Sequence, residues 1–221
     1  MLMSGLGALI MFGICGLSGF FVVADERHGH GAEAAAGAAE PDRIGSRRVD
    51  ARPLTLPEVF PKPQIRLVPG AAPYSIGTTH IDSDCDIAVT GRLGIVLADH
   101  ACSQVVRASI TAPYGAYRVT AGLFNLAEAA DAAAAGEQAR YLVETGGGTF
   151  AAMGTAGTDP LAQPPAQVNW HEHGHYLVYC VISRPDGRVV SDADAYARQI
   201  TADLVESYLG GAVLGRRASG A

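Results

Sequence analysis

Between Tyr176 and Ser183 the chain reads YLVYCVIS, a run with no charged side chain. Side chains of a strand alternate between its two faces, so a run that is apolar at odd and even positions alike has no face to turn toward water. It is therefore expected inside a sheet. The flanking segments support this. AQVNW precedes it, and Gly174 stands where a tight turn between the two needs a positive φ. VVRASIT (105–111) and AYRVTAGLF (116–124) alternate around Pro113, Tyr114 and Gly115, which predicts a hairpin with Val106, Ala108 and Ile110 on one face.

Helix signals lie between these strands. Asn125, followed three residues later by Glu128, reads as a capping box opening an alanine-rich helix that stops at Gly146, Gly147 and Gly148. TFAAM adds a strand, and Pro185, Asp186 and Gly187 turn the chain into a short RVV strand. A last helix is expected after Ser191, with Tyr196, Ile200, Leu204 and Tyr208 along one stripe and its end at Gly210 and Gly211. The expected fold is α+β, an antiparallel sheet with helices packed on one face, over residues 74–211.

The ends have a different character. Met1 to Ala24 carries no charge and as a helix would be about 36 Å long, enough to cross the hydrocarbon core of a bilayer. We expect a retained single-pass transmembrane helix, a signal anchor, over 1–24; its competitor is a signal peptide cleaved after Val22, Val23 and Ala24. Residues 25–73, with EAAAGAAEP and then RPLTLPEVFPKPQIRLVPGAAP, read as a Pro/Ala/Gly-rich stalk, flexible at first and extended later. Residues 212–221 read as a disordered tail.

Charge narrows the partners. From Ile81 to Gly210 there are 15 acidic residues against 7 Arg, in a chain of net charge −6. Such a surface repels phosphate backbones, so nucleic acid is not an expected partner. The glycine run at 146–148 is not a phosphate loop, because TFAAM follows it and no Lys is near. No G-x-S-x-G elbow occurs, and Asp192 and Asp194 sit at a helix start where the dipole favours acids.

Cys85, Cys102 and Cys180 lie in the domain. One continuous helix over Asp84 to Ala98 would hold Cys85 roughly 20 Å from its far end, out of reach of Cys102. Gly91 and Gly94 allow a shorter helix starting after Thr90, with Cys85 to Thr90 running back beside it. A bond between Cys85 and Cys102 is the preferred pairing; a bond to Cys180 and a fully reduced set are the alternatives. His171, His173 and His175 in WHEHGHY are candidate zinc ligands if they share one strand face, with Glu172 as a base. A turn at Gly174 would instead spread them apart, so no metal and no cofactor is assigned.

The segments DCDIAVTGRLGIVLADHACSQVVRASI, LFNLAEA and HYLVYCVISRPDG resemble a group of single-pass membrane-anchored or secreted proteins of actinobacteria that carry no assigned activity. The resemblance implies membrane attachment and a disulfide between the first two domain cysteines. The resulting expectation is a non-catalytic binding or sensing module at the cell membrane. Its N-terminal helix would hold it there, its C-terminal domain would lie outside the cytoplasm, and it would engage a protein or cell-envelope partner. The alternative is a zinc hydrolase built on His171, His173 and His175.

Overall fold

The computed structural model describes residues 42–153 and 166–220. The expected anchor (1–24) and the first part of the stalk lie outside them. Among the described residues no helix is long and apolar enough to cross a membrane.

Six strands form one sheet in the order β1-β2-β4-β5-β8-β7, antiparallel at every pairing. They are β1 (Gln64–Ile65), β2 (Tyr74–Asp82), β4 (Gln104–Thr111), β5 (Arg118–Asn125), β7 (Ala166–His173) and β8 (Tyr176–Ser183). A small ribbon joins β3 (Val89–Gly91) to β6 (Gly148–Phe150), so only the first residues of TFAAM are strand. The β4–β5 hairpin forms as the alternation predicts, with Val106, Ala108 and Ile110 in one core.

β8 is buried along its whole length between β5 and β7. Tyr176, Val178, Cys180 and Ile182 face one core with Ile200, Leu204 and Leu209, while Leu177, Tyr179 and Val181 face a second with Ala132, Ala135, Ala139 and Leu142. Helices therefore cover both faces of the sheet, which corrects the expected one-sided packing. A strand apolar on both faces can be kept from water only by a layer on each side.

The first face is covered by one long helix that changes character. It runs as α4 (Ala195–Thr201), then a π-helical stretch (Ala202–Leu214), then α5 (Gly215–Ser219). The π-type i→i+5 spacing brings Leu204, Leu209 and Leu214, five apart, onto the sheet, and all three are buried. The helix does not stop at Gly210 and Gly211, and the expected tail is helical. Glycines cost a helix about 1 kcal/mol each. That cost is offset downstream, where Val213, Leu214 and Arg217 are buried. Within the expected stripe, Ile200 and Leu204 are buried but Tyr196 is exposed. The RVV segment forms no strand; Val190 is buried and Val189 is exposed.

The second face is covered by α2 (Leu93–Asp99) and α3 (Ala129–Thr145). Asn125 does not cap α3. It is the last residue of β5, paired with Gln104 and Tyr176, and Glu128 occupies the cap position without a side-chain bond. Strand pairing on both sides holds Asn125 extended, and the helix begins only after the chain leaves the sheet. It ends as expected at Gly146, with φ 71°.

The largest correction concerns the stalk. The compact unit begins at Asp42, well before residue 74. Ile44, Leu54, Val59, Phe60 and Ile65 are all buried in the first core, α1 (Leu56–Val59) is capped by Thr55, and β1 pairs with β2. These apolar residues are too sparse for a core of their own, yet each fills a place in the core of the sheet.

Candidate functional site

The loop after β2 is clipped to the start of β4. Cys85 opens a 3₁₀ turn (Cys85–Ala88), β3 and α2 follow, and Ala101, at φ 52°, turns the chain so that Cys102 meets Cys85. The Cys85–Cys102 disulfide spans 6.4 Å between Cα atoms. The short helix required by the pairing is α2. Cys180 is free and buried, its Sγ 3.8 Å from the Thr201 hydroxyl, and burial pushes its thiol up to about 12.

A cleft of about 440 Å³ opens beside this clip, lined on one side by Arg47, Ala51 and Pro53 and on the other by Asp82, Ser103 and Asn125. Arg47 Nη1 donates to the Ala101 carbonyl at 2.7 Å and reaches the Asn125 carbonyl at 3.4 Å. Gln104 joins the two walls: its Oε1 accepts from Leu54 N and its Nε2 donates to Leu54 O, both at 3.0 Å. Ser103 donates to the Asn125 carbonyl at 3.3 Å. Asn125 is 2% exposed, and its Oδ1 has no partner among the described residues. The cleft thus offers a guanidinium, hydroxyls and a carboxylate at the strand ends, with the Asn125 amide buried in its wall. Sequence reasoning missed it because one wall lies in the segment taken for a stalk. The signal that could have found it is the apolar spacing of Ile44, Leu54 and Val59.

The three histidines do not form one site. The β7–β8 turn is Gly174–His175, with Gly174 at φ 57° as expected. His171 and His173 stand two apart on β7, on one face, and His173 lies beside Gly210 of the π-helical stretch. Burial, then the neighbouring His171, holds the His173 imidazole below its ordinary value. His175 is fully buried: its Nδ1 donates to Leu126 O at 3.0 Å, and its Nε2 is 3.3 Å from Asp50 Oδ2. Glu172 lies over Gly136 of α3, on the other face of β7 from His171 and His173. Among the described residues no three or more His, Cys, Asp or Glu side chains converge on a metal position.

Asp50 instead anchors a buried ionic cluster. Its Oδ2 accepts from Tyr176 OH at 2.7 Å and from Arg217 Nε at 2.5 Å, and Arg217 Nη1 donates to Glu58 at 2.6 Å. Burial alone would raise the Asp50 carboxyl, but the bonds from Arg217, Tyr176 and His175 hold it below the usual carboxylate range. The cluster joins the N-terminal segment, the β7–β8 turn and α5. No protein-family model matches the chain, and neither a curated protein nor a solved structure matches it.

Proposed function

We propose that this chain is a membrane-tethered, extracytoplasmic binding or sensing module, non-catalytic, whose ligand is a cell-envelope component taken in the Arg47–Asn125 cleft. The observation that carries the reading is a polar cleft with Asn125 in its wall, a buried residue whose amide Oδ1 has no partner among the described residues. A buried acceptor without a partner costs about 1–3 kcal/mol, which a ligand N–H would recover. The disulfide supports the compartment, since such bonds persist in oxidising surroundings. The uncharged Met1–Ala24 segment supports the tether.

Calorimetric titration with soluble peptidoglycan fragments tests the ligand class. Ser103 is exposed at the cleft, so Ser103→Tyr places a ring in the opening without disturbing the core. Binding by the wild type and its loss in this variant is the expected result. Equal binding by both would move the site elsewhere. Alkaline phosphatase fused at the C-terminus tests the orientation; an inactive, membrane-bound fusion would reverse it.

A further inference from the structure

The cleft beside the disulfide carries one charge of each sign, and each has bonding capacity left over. Arg47 is the guanidinium of its lining and Asp82 the carboxylate. Arg47 uses only Nη1, on the Ala101 and Asn125 carbonyls, and no ion pair joins it to a carboxylate among the described residues. Its Nε and Nη2 therefore keep their donors. Asp82 accepts from Asp84 N at 2.9 Å through Oδ1. Among the described residues its Oδ2 meets only His80 Nε2, at 3.9 Å, too far for a hydrogen bond.

The sheet sets the gap between the two charges. Asp82 ends β2 and pairs with Val105 on β4, while Asn125 ends β5 and pairs with Gln104 on the same strand. Arg47 holds the Asn125 carbonyl, so guanidinium and carboxylate sit at one end of the sheet with β4 between their anchors, two strand spacings or roughly 10 Å. The disulfide fixes the same gap from the loop side. Asp82 lies shortly before Cys85, and Ala101, whose carbonyl also holds Arg47, directly precedes Cys102. Ala51, Pro53 and Ile81 give the cleft an apolar lining, and its volume of about 440 Å³ falls in the range of about 300–1,000 Å³ common for small-molecule sites.

Given that this cleft is the binding site, as proposed above, we infer that it takes a zwitterion: a ligand with a carboxylate for Arg47, an ammonium for Asp82 and a short aliphatic stem against Ala51, Pro53 and Ile81. A guanidinium fork matches a carboxylate, and an ammonium brings three donors to the Asp82 oxygens. A purely anionic ligand would meet Asp82 and a purely cationic one Arg47, so each wall charge rejects what the other attracts. A group bearing both charges satisfies both walls. Amino acids are the simplest ligands of this class.

The full chain is titrated by ligand-observed NMR, at constant ionic strength, with glycine, γ-aminobutyrate and 6-aminohexanoate, which hold their two charges progressively further apart. Saturable binding of at least one is expected, and the tightest measures the gap. Its N-acetyl and carboxamide forms each lack one charge and should bind roughly tenfold more weakly or worse. Asp82→Asn should weaken the zwitterion by a similar factor yet leave the weaker binding of the N-acetyl form unchanged, a coupling that a merely structural role would not produce. Arg47→Gln should do the same toward the carboxamide form. Because Arg47 also ties Ala101 to Asn125, Asp82→Asn decides the matter if that variant does not fold. No saturable binding of any zwitterion, or equal binding of the zwitterion and its blocked forms, overturns the inference. In that case, peptidoglycan-fragment binding that is lost in Ser103→Tyr keeps the cleft as the site and removes only the zwitterion, whereas its absence removes both.

Discussion

Arg217 Nε lies 2.5 Å from Asp50 Oδ2, joining residues 167 positions apart in the chain. The same guanidinium also donates to Glu58 and to the Arg52 carbonyl, so one side chain fastens the C-terminal helix to the segment that leads into the sheet. Removing one member of a buried ion pair leaves the other uncompensated. Arg217→Ala should lower unfolding free energy by about 3–5 kcal/mol in urea titration. A loss below about 1 kcal/mol would mean the cluster is no more than a surface pair.

The pH dependence follows from the carboxylates and from His173. Asp50 is held low by the Arg217, Tyr176 and His175 bonds against burial, and Asp194 is held low chiefly by the Tyr117 hydroxyl, which donates at 2.7 Å. A carboxyl whose folded value is depressed contributes stability that is complete above its unfolded value, about 3.9, and is lost as pH falls through the folded one. Thermal melts should therefore decline modestly as pH falls below about 6.5, because the depressed His173 resists the protonation that the unfolded chain accepts, and steeply below about 4, where the carboxylates are lost. Asp50→Asn should melt lower at neutral pH and show a shallower acid slope; an unchanged slope would remove Asp50 from the account.

The disulfide closes a loop of sequence separation 17. Loop closure of this size in the unfolded chain corresponds to about 3 kcal/mol. Reduction, Cys85→Ser and Cys102→Ser should each lower the melting temperature by similar amounts. Peptide mapping after thiol blocking should find Cys180 alkylated only once the protein is denatured, since it is wholly buried. Recovery of singly blocked Cys102 from the native host would contradict the bond in the cell.

Gly174 combines a φ of +57° with close packing: a Cβ there would stand 2.2 Å from the Ile44 carbonyl oxygen. That oxygen accepts the His175 N–H at 2.8 Å and belongs to backbone, which cannot swing aside. Gly174→Ala should cost at least about 2 kcal/mol, the left-handed backbone penalty plus displacement of Ile44. Gly187, at φ +72° with nothing within 4 Å, is the control, and its alanine variant should cost only the backbone part. Equal losses in chemical denaturation would show that the Ile44 contact carries no weight.

What local sequence determined here is each feature whose physics is complete within a few residues. The two-faced burial of Tyr176–Ser183, the β4–β5 hairpin, the helix stop at Gly146 and the turn at Gly174 all follow from side-chain alternation and glycine's access to positive φ. Even the cover on both faces of β8 was implicit in that strand's composition. Tertiary structure decided the rest, because the deciding partners are far apart in the chain. Asn125 could cap a helix by type, yet pairing with Gln104 and Tyr176 keeps it in β5. Gly210 and Gly211 would end an isolated helix, yet Arg217 and its buried neighbours carry the helix past them. Residues 42–73 look like a stalk until Leu54 meets Gln104 and Asp50 meets Arg217. The cleft exists only where these segments close on the strand ends, so neither wall shows it alone.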